Sequence, residues 1–170
     1  NSTRRRWGAD IAAIDRRIRA AVDAVSLARR AENGPAMIAL DQRRATVLGY
    51  SEGALRAESL AKQFPDRYPA AVILASPRKP SASSFSRSER VAFVVGTKDR
   101  RDEMRDGADE TRKAGRPSRF FLLPGAVHGK YGPEGERVMG DVLDFVGSLA
   151  SPAPPPTPHP HGEGSLPAGP

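Results

Sequence analysis

"LGYSEGA", residues 48–54, sets Ser51 between Gly49 and Gly53, immediately after the apolar run Ala45 to Leu48 and immediately before a stretch that reads as a helix. A Gly-x-Ser-x-Gly pentad alone is a common accident of Gly- and Ser-containing chains. Its position between a strand and a helix gives it meaning, because a serine on a very tight strand-to-helix turn is held in a strained conformation that projects its hydroxyl from the carboxyl edge of the sheet. Residues two positions away on either side must then be small, and Gly49 and Gly53 are expected to supply that space. The residue after the serine, Glu52, is expected to offer its backbone N–H to a developing oxyanion at a helix N-terminus, where its carboxylate is also well tolerated.

Working outward, the chain alternates between two periodicities. Asp10 is a suitable N-cap for "IAAIDRRIRAAVDAVSLARRA", in which Ile11, Ile14, Ile18, Val22 and Val25 recur at three- and four-residue steps and predict one buried stripe. "ATVLGY" is short and apolar, as a strand buried on both faces would be, and residues 53–63 turn helical. "AAVILAS" (70–76), "VAFVVGT" (91–97) and "RFFLLPG" (119–125) are further runs of strand length. "EMRDGADETRKAG" reads as an exposed helix ending at Gly115, and residues 135–149 as a last helix. Strands alternating with helices predict an α/β fold, a parallel sheet with helices on both faces.

The 170 residues are 38% apolar, enough for one compact domain, expected over 10–150, with a frayed segment at 1–9. The segment 151–170, "SPAPPPTPHPHGEGSLPAGP", has too little apolar area to offset its ordering entropy and is expected to be a disordered or locally polyproline tail. No cysteine is present, so disulfides and thiolate metal sites are excluded, and redox chemistry assigns no compartment, cytoplasmic or secreted. No apolar stretch approaches the ~18 residues of a membrane span, so a soluble chain is expected, with no membrane partner.

Formal charge is +7, which raises the question of nucleic acid. The arginines are interleaved with acids, as in "DRRDEMRDGADETRK", and no zinc spacing, Gly/aromatic RNA signature or basic heptad accompanies them. No nucleic-acid partner is expected, and neither a metal nor a cofactor is called for.

A serine nucleophile needs a base, for which histidine is suited by a pKa near neutrality. Of the three histidines, His159 and His161 sit in the proline-rich tail, whereas His128 follows the last strand by a few residues in "LLPGAVHGKYG". A third group must orient the imidazole and stabilise its protonated form. Asp99 closes "VAFVVGTKD" at the strand's carboxyl edge and is preferred; Asp102, one turn further on, is the alternative, and Asp106 and beyond belong to the following helix.

The order Ser51, Asp99, His128 is that of the α/β-hydrolase superfamily. "LDQRRATVLGYSEGA" resembles the family's nucleophile strand, elbow and helix, "VAFVVGTKDRRDE" its acid strand and loop, and "RFFLLPGAVHGKYGPEGERVMGDVLDFV" its histidine loop and final helix. The resemblance covers about residues 10–150. It implies a carboxylesterase-like serine hydrolase in which Ser51 attacks an acyl carbonyl and His128 moves the proton. It also implies further strands, and a second oxyanion donor, ahead of the nucleophile strand. Residues 1–44 carry one helix and no convincing strand, so a four-stranded sheet lacking the family's amino-terminal strands is expected, as in a fragment, a mis-started or decayed reading frame or a chain completed by a partner. Its nucleophile strand would lie at an exposed edge open to self-association. The loop between 76 and 91 is too short for a cap domain, which favours small or extended esters or peptide-like substrates. A catalytically impaired hydrolase-like domain with a binding role is the alternative.

Overall fold

The computed structural model describes residues 10–31 and 44–148. The expectations for 1–9 and for the tail at 151–170, His159 and His161 included, lie outside the described residues. Helix α1 (Ile11–Ala31) leads to strand β1 (Thr46–Tyr50), helix α2 (Glu52–Gln63), β2 (Ala70–Leu74), β3 (Arg90–Gly96), α3 (Arg101–Lys113), β4 (Ser118–Leu123) and α4 (Gly135–Gly147), with a 3-10 turn at Ala82–Phe85. The four strands pair in parallel in the order β1-β2-β3-β4. All parallel and covered on both faces, the central strands are apolar without alternation: every residue of β2 is buried.

Period-two alternation sorts these residues between two cores. Ala71, Ile73, Val91, Phe93 and Val95 face α1, α2 and α3, while Val72, Leu74, Val94, Phe121 and Leu123 face α4 through Val138, Val142 and Val146. Because the strands are in register from Thr46↔Ala70 to Tyr50↔Leu74, and from Val94↔Phe121 to Gly96↔Leu123, their carboxyl ends form one edge. The candidate site stands on that edge.

Three expectations are corrected. The stripe on α1 is only partly used: Ile11, Ile14 and Ile18 pack against the first core, but Val25 is 49% exposed, and among the residues of the helix whose side chains are described the buried one is Asp15. Its carboxylate accepts hydrogen bonds from the Tyr68 hydroxyl at 2.9 Å and from the Arg67 guanidinium, tying α1 to the loop before β2. Burial pushes the Asp15 carboxyl up, but these two hydrogen bonds and the charges of Arg67 and Arg19 outweigh it and hold the group below the ordinary value. Helix α3 is not an exposed helix. Met104, Gly107, Ala108 and Thr111, spaced as one helical face, are buried, and the small Gly107 and Ala108 admit a close approach in place of large apolar side chains. Finally, the strand expected over 70–76 ends at Leu74, because Ala75 adopts φ 47° and turns the chain out of the sheet.

Candidate active site

Ser51 follows β1 and caps α2. A serine at a helix N-cap ordinarily turns its hydroxyl back onto an N–H of the first turn. Here the hydroxyl makes no such bond, and the backbone is at φ 52°, ψ −120°, a conformation costly for any residue with a β-carbon. The strain is held from both sides: Ser51 N–H donates to Leu74 O at 2.9 Å, and Ser51 O accepts from Ala54 N–H at 2.9 Å. The hydroxyl is thereby aimed away from its own helix.

It meets His128. In the tautomer with the proton on Nδ1, Nε2 accepts from Ser51 Oγ–H at 3.1 Å while Nδ1–H donates to Asp99 Oδ2 at 2.8 Å. The other oxygen, Asp99 Oδ1, accepts the Arg100 N–H at 2.8 Å, so both carboxylate oxygens are engaged and its rotamer is set. The Asp99 side chain is 12% exposed and that of His128 50%, which leaves the imidazole open to an incoming molecule. Asp102, the alternative acid, is not brought to the histidine; its side chain is 83% exposed and faces Arg101 at 3.6 Å.

The β4–α4 loop that carries His128 is fastened to the end of β3. Thr97 Oγ1 accepts the Gly125 N–H at 2.9 Å, and Lys98 N–H donates to Ala126 O at 3.1 Å. A β-carbon on Gly96 would sit 2.4 Å from Ala126 O, so the loop closes onto β3 only because that residue is glycine. At the elbow the steric demand is one-sided. A β-carbon on Gly49 would fall 2.1 Å from Gly53 O, whereas one on Gly53 would meet nothing within 4 Å. The expectation that both glycines are needed for space is corrected at Gly53.

Glu52 opens α2, and its N–H, like others of a first helical turn, has no carbonyl of its own helix to meet. That N–H lies next to Ser51 at the positive end of the helix dipole, a suitable place for developing negative charge. Among the described residues no cluster of three or more His, Asp or Glu side chains could hold a metal ion, and no helix is long and apolar enough to cross a membrane.

Sequence reasoning missed Tyr50, whose ring lies 5.2 Å from that of His128 and tilted 42° to it. Its adjacency to Ser51 was visible, but the contact with a residue 78 positions later was not. Thr97 and Ala126 escaped for the same reason, since their roles depend on how a loop is folded back.

Compared with known proteins, the chain matches no family model and no curated sequence. Among solved structures it is similar to a dipeptidyl aminopeptidase IV-type protein of Bacteroides ovatus, at 10% identity and TM-score 0.53, over 63% of this chain and 19% of that one. It is also similar to a variant of SOBER1 from Arabidopsis thaliana, at 16% identity and TM-score 0.51, over 81% of this chain and 64% of that one. The chain thus spans less than two thirds of either structure. At these identities the likeness speaks for fold alone: four parallel strands with their helices have an α/β-hydrolase-like fold.

Proposed function

We propose that this hydrolase-like domain is a serine hydrolase of the carboxylesterase kind, acting on small ester or peptide-like acyl substrates through Ser51, His128 and Asp99. The observation that carries the reading is the continuous line from Ser51 Oγ through His128 to Asp99 Oδ2, starting at a serine whose strained backbone keeps its hydroxyl from capping its own helix.

In that reading the Ser51 Oγ–H proton passes to Nε2 as Oγ bonds to the acyl carbon, and Asp99 stabilises the resulting imidazolium. The oxyanion faces the Glu52 N–H. As the tetrahedral intermediate collapses, the bond from carbon to the leaving group breaks and Nε2 returns the proton to the departing oxygen or nitrogen. Water, activated by the same imidazole, then hydrolyses the acyl-enzyme. Neither nucleic acid, membrane, metal nor cofactor has a part in this scheme.

A second reading, a hydrolase-like domain with impaired catalysis and a binding role, is favoured by one feature: only one backbone donor to the oxyanion, Glu52 N–H, is assigned. A missing donor costs ~10²- to 10³-fold in rate. The two readings part in one experiment, fluorophosphonate labelling of the full chain followed by peptide mapping. Covalent modification at Ser51, abolished in Ser51→Ala and slowed in His128→Ala, is expected of the hydrolase. A chain inert to the reagent while well folded would refute it.

A further inference from the structure

We propose that the cleft beneath the His128 loop is the subsite for the leaving group, and that it selects short, uncharged alkyl or aryl alcohols; this rests on the acyl-transfer reading above. The cleft, about 110 Å³, lies at the carboxyl edge of the sheet. Leu74 and Leu123 contribute to it from the strand ends, Tyr50 from the position before Ser51, and Val127 and Tyr131 from the loop itself. One water needs only ~10–15 Å³ of such space, so the cleft has room for several bonded heavy atoms.

Position decides which half of a substrate it serves. The group that departs must take its proton from Nε2, so it lies on the histidine side of Ser51. Both neighbours of His128 in the chain, Val127 and Gly129, line the cleft, and Tyr50, which also lines it, packs against the imidazole. A chain running from the departing oxygen past the ring therefore enters this space. Ser51 itself is not one of its walls, so the first carbons of the alcohol do not reach it.

Chemistry decides the class. Val127 and Tyr131 are 45% and 52% exposed, large apolar surfaces beside an open imidazole that a bound alkyl or aryl group would cover. Of the two charged liners, Asp99 has both oxygens occupied by Arg100 N–H and His128, and Lys130 has no ion-pair partner among the described residues. The cleft thus has no free anion to receive a cationic alcohol, and Lys130 would repel one.

The test uses acetate esters with the full chain, holding the acyl group fixed while the alcohol grows from methyl to hexyl. Flat kcat/KM for the smallest alcohols and then a rise of roughly 15- to 60-fold, two or three methylenes at ~4-fold each, is expected. The rise should shrink in Val127→Ala and in Tyr131→Ala, both at exposed positions, and a choline ester should fall below its neutral tert-butyl analogue. Lengthening the acyl chain with the alcohol held at ethyl should give no matching dependence on these two residues. If fluorophosphonate still labels Ser51 but the alcohol series is flat, or its slope survives in both variants, the subsite is refuted while the hydrolase reading stands. Absence of labelling would instead remove the hydrolase reading beneath it.

Discussion

Gly49→Ala should damage the protein far more than Gly53→Ala, although the two glycines are symmetric in the pentad. A methyl group at Gly49 would lie 2.1 Å from Gly53 O, 2.5 Å from Gly53 C and 2.8 Å from Ala54 N, all backbone atoms that no rotamer change can move aside. Ordinary contact between such atoms is at ~3.5 Å, so β1 and the first turn of α2 must part by about 1.4 Å at the nearest atom. Overpacking of this kind costs ~1–3 kcal/mol, and the rigidity of the obstructing atoms places Gly49→Ala near the upper end. The displacement falls on Ser51, whose Oγ is 3.1 Å from its base, and a shift of about 1 Å at a reacting group can cost ~10²-fold in rate. Gly53 is the second residue of α2, with open space where its β-carbon would stand, so alanine there gains ~0.5–1 kcal/mol of helix propensity. Urea unfolding gives the stabilities, and the rate of fluorophosphonate labelling reports the elbow. Equal stabilities and labelling rates for the two variants would show that the elbow yields where the structure holds it rigid.

The remaining predictions concern the acid, the buried tyrosine and the sheet edge. Asp99→Asn should slow labelling of Ser51 by up to ~10⁴-fold, as loss of the orienting carboxylate does in a triad, while Asp102→Asn should leave it unchanged; the opposite ranking would move the acid to Asp102. The Tyr68 hydroxyl is pushed up to about 12, by burial first and by its hydrogen bond to Asp15 next, so in the folded protein it titrates above the ordinary tyrosine value of 10.0. A raised value stabilises the fold fully below pH 10.0 and loses that contribution as pH climbs toward 12, so thermal melting should show an alkaline decline over this window that Tyr68→Phe removes. At the β1 edge, the chain should form concentration-dependent oligomers in sedimentation that Leu48→Lys disperses; a monomer at every concentration would argue that the edge is protected.

What could be read from the residues was whatever depends on neighbours in sequence. The buried strands announce themselves as unbroken apolar runs, and the strand–Ser51–helix junction is local, as is the place of His128 a few residues beyond β4. What could not be read depends on partners far along the chain. Asp15 is buried because Arg67 and Tyr68, more than 50 positions later, receive it. Glu58 is buried because Ser81 N–H and the Ser84 hydroxyl, at 3.1 and 2.9 Å, bind one of its oxygens. Helix α3 hides its inward face behind glycine and alanine, which carry little hydrophobic signal. The asymmetry of Gly49 and Gly53 is likewise invisible in a symmetric motif, because it depends on which way the strand enters the turn.

The geometry of the sheet explains why the acid sits where it does. β1 and β4 are three strand spacings apart, about 14 Å at ~4.8 Å each, yet Ser51 Oγ and His128 Nε2 are 3.1 Å apart. The loop after β4 must therefore travel back across the ends of β3 and β2, and it meets β3 first. The contacts of Thr97 and Lys98 with Gly125 and Ala126, and the opening left by Gly96, are where it is fastened on the way. An acid just past that fastening, at Asp99, lies beside the loop as it passes and can turn the imidazole toward β1. Asp102 has already entered the first turn of α3 and points to solvent. The chain order serine, acid, histidine is thus the order in which β1, β3 and β4 reach a common edge, and the acid's strand is the one that lies on the histidine's route back to the serine.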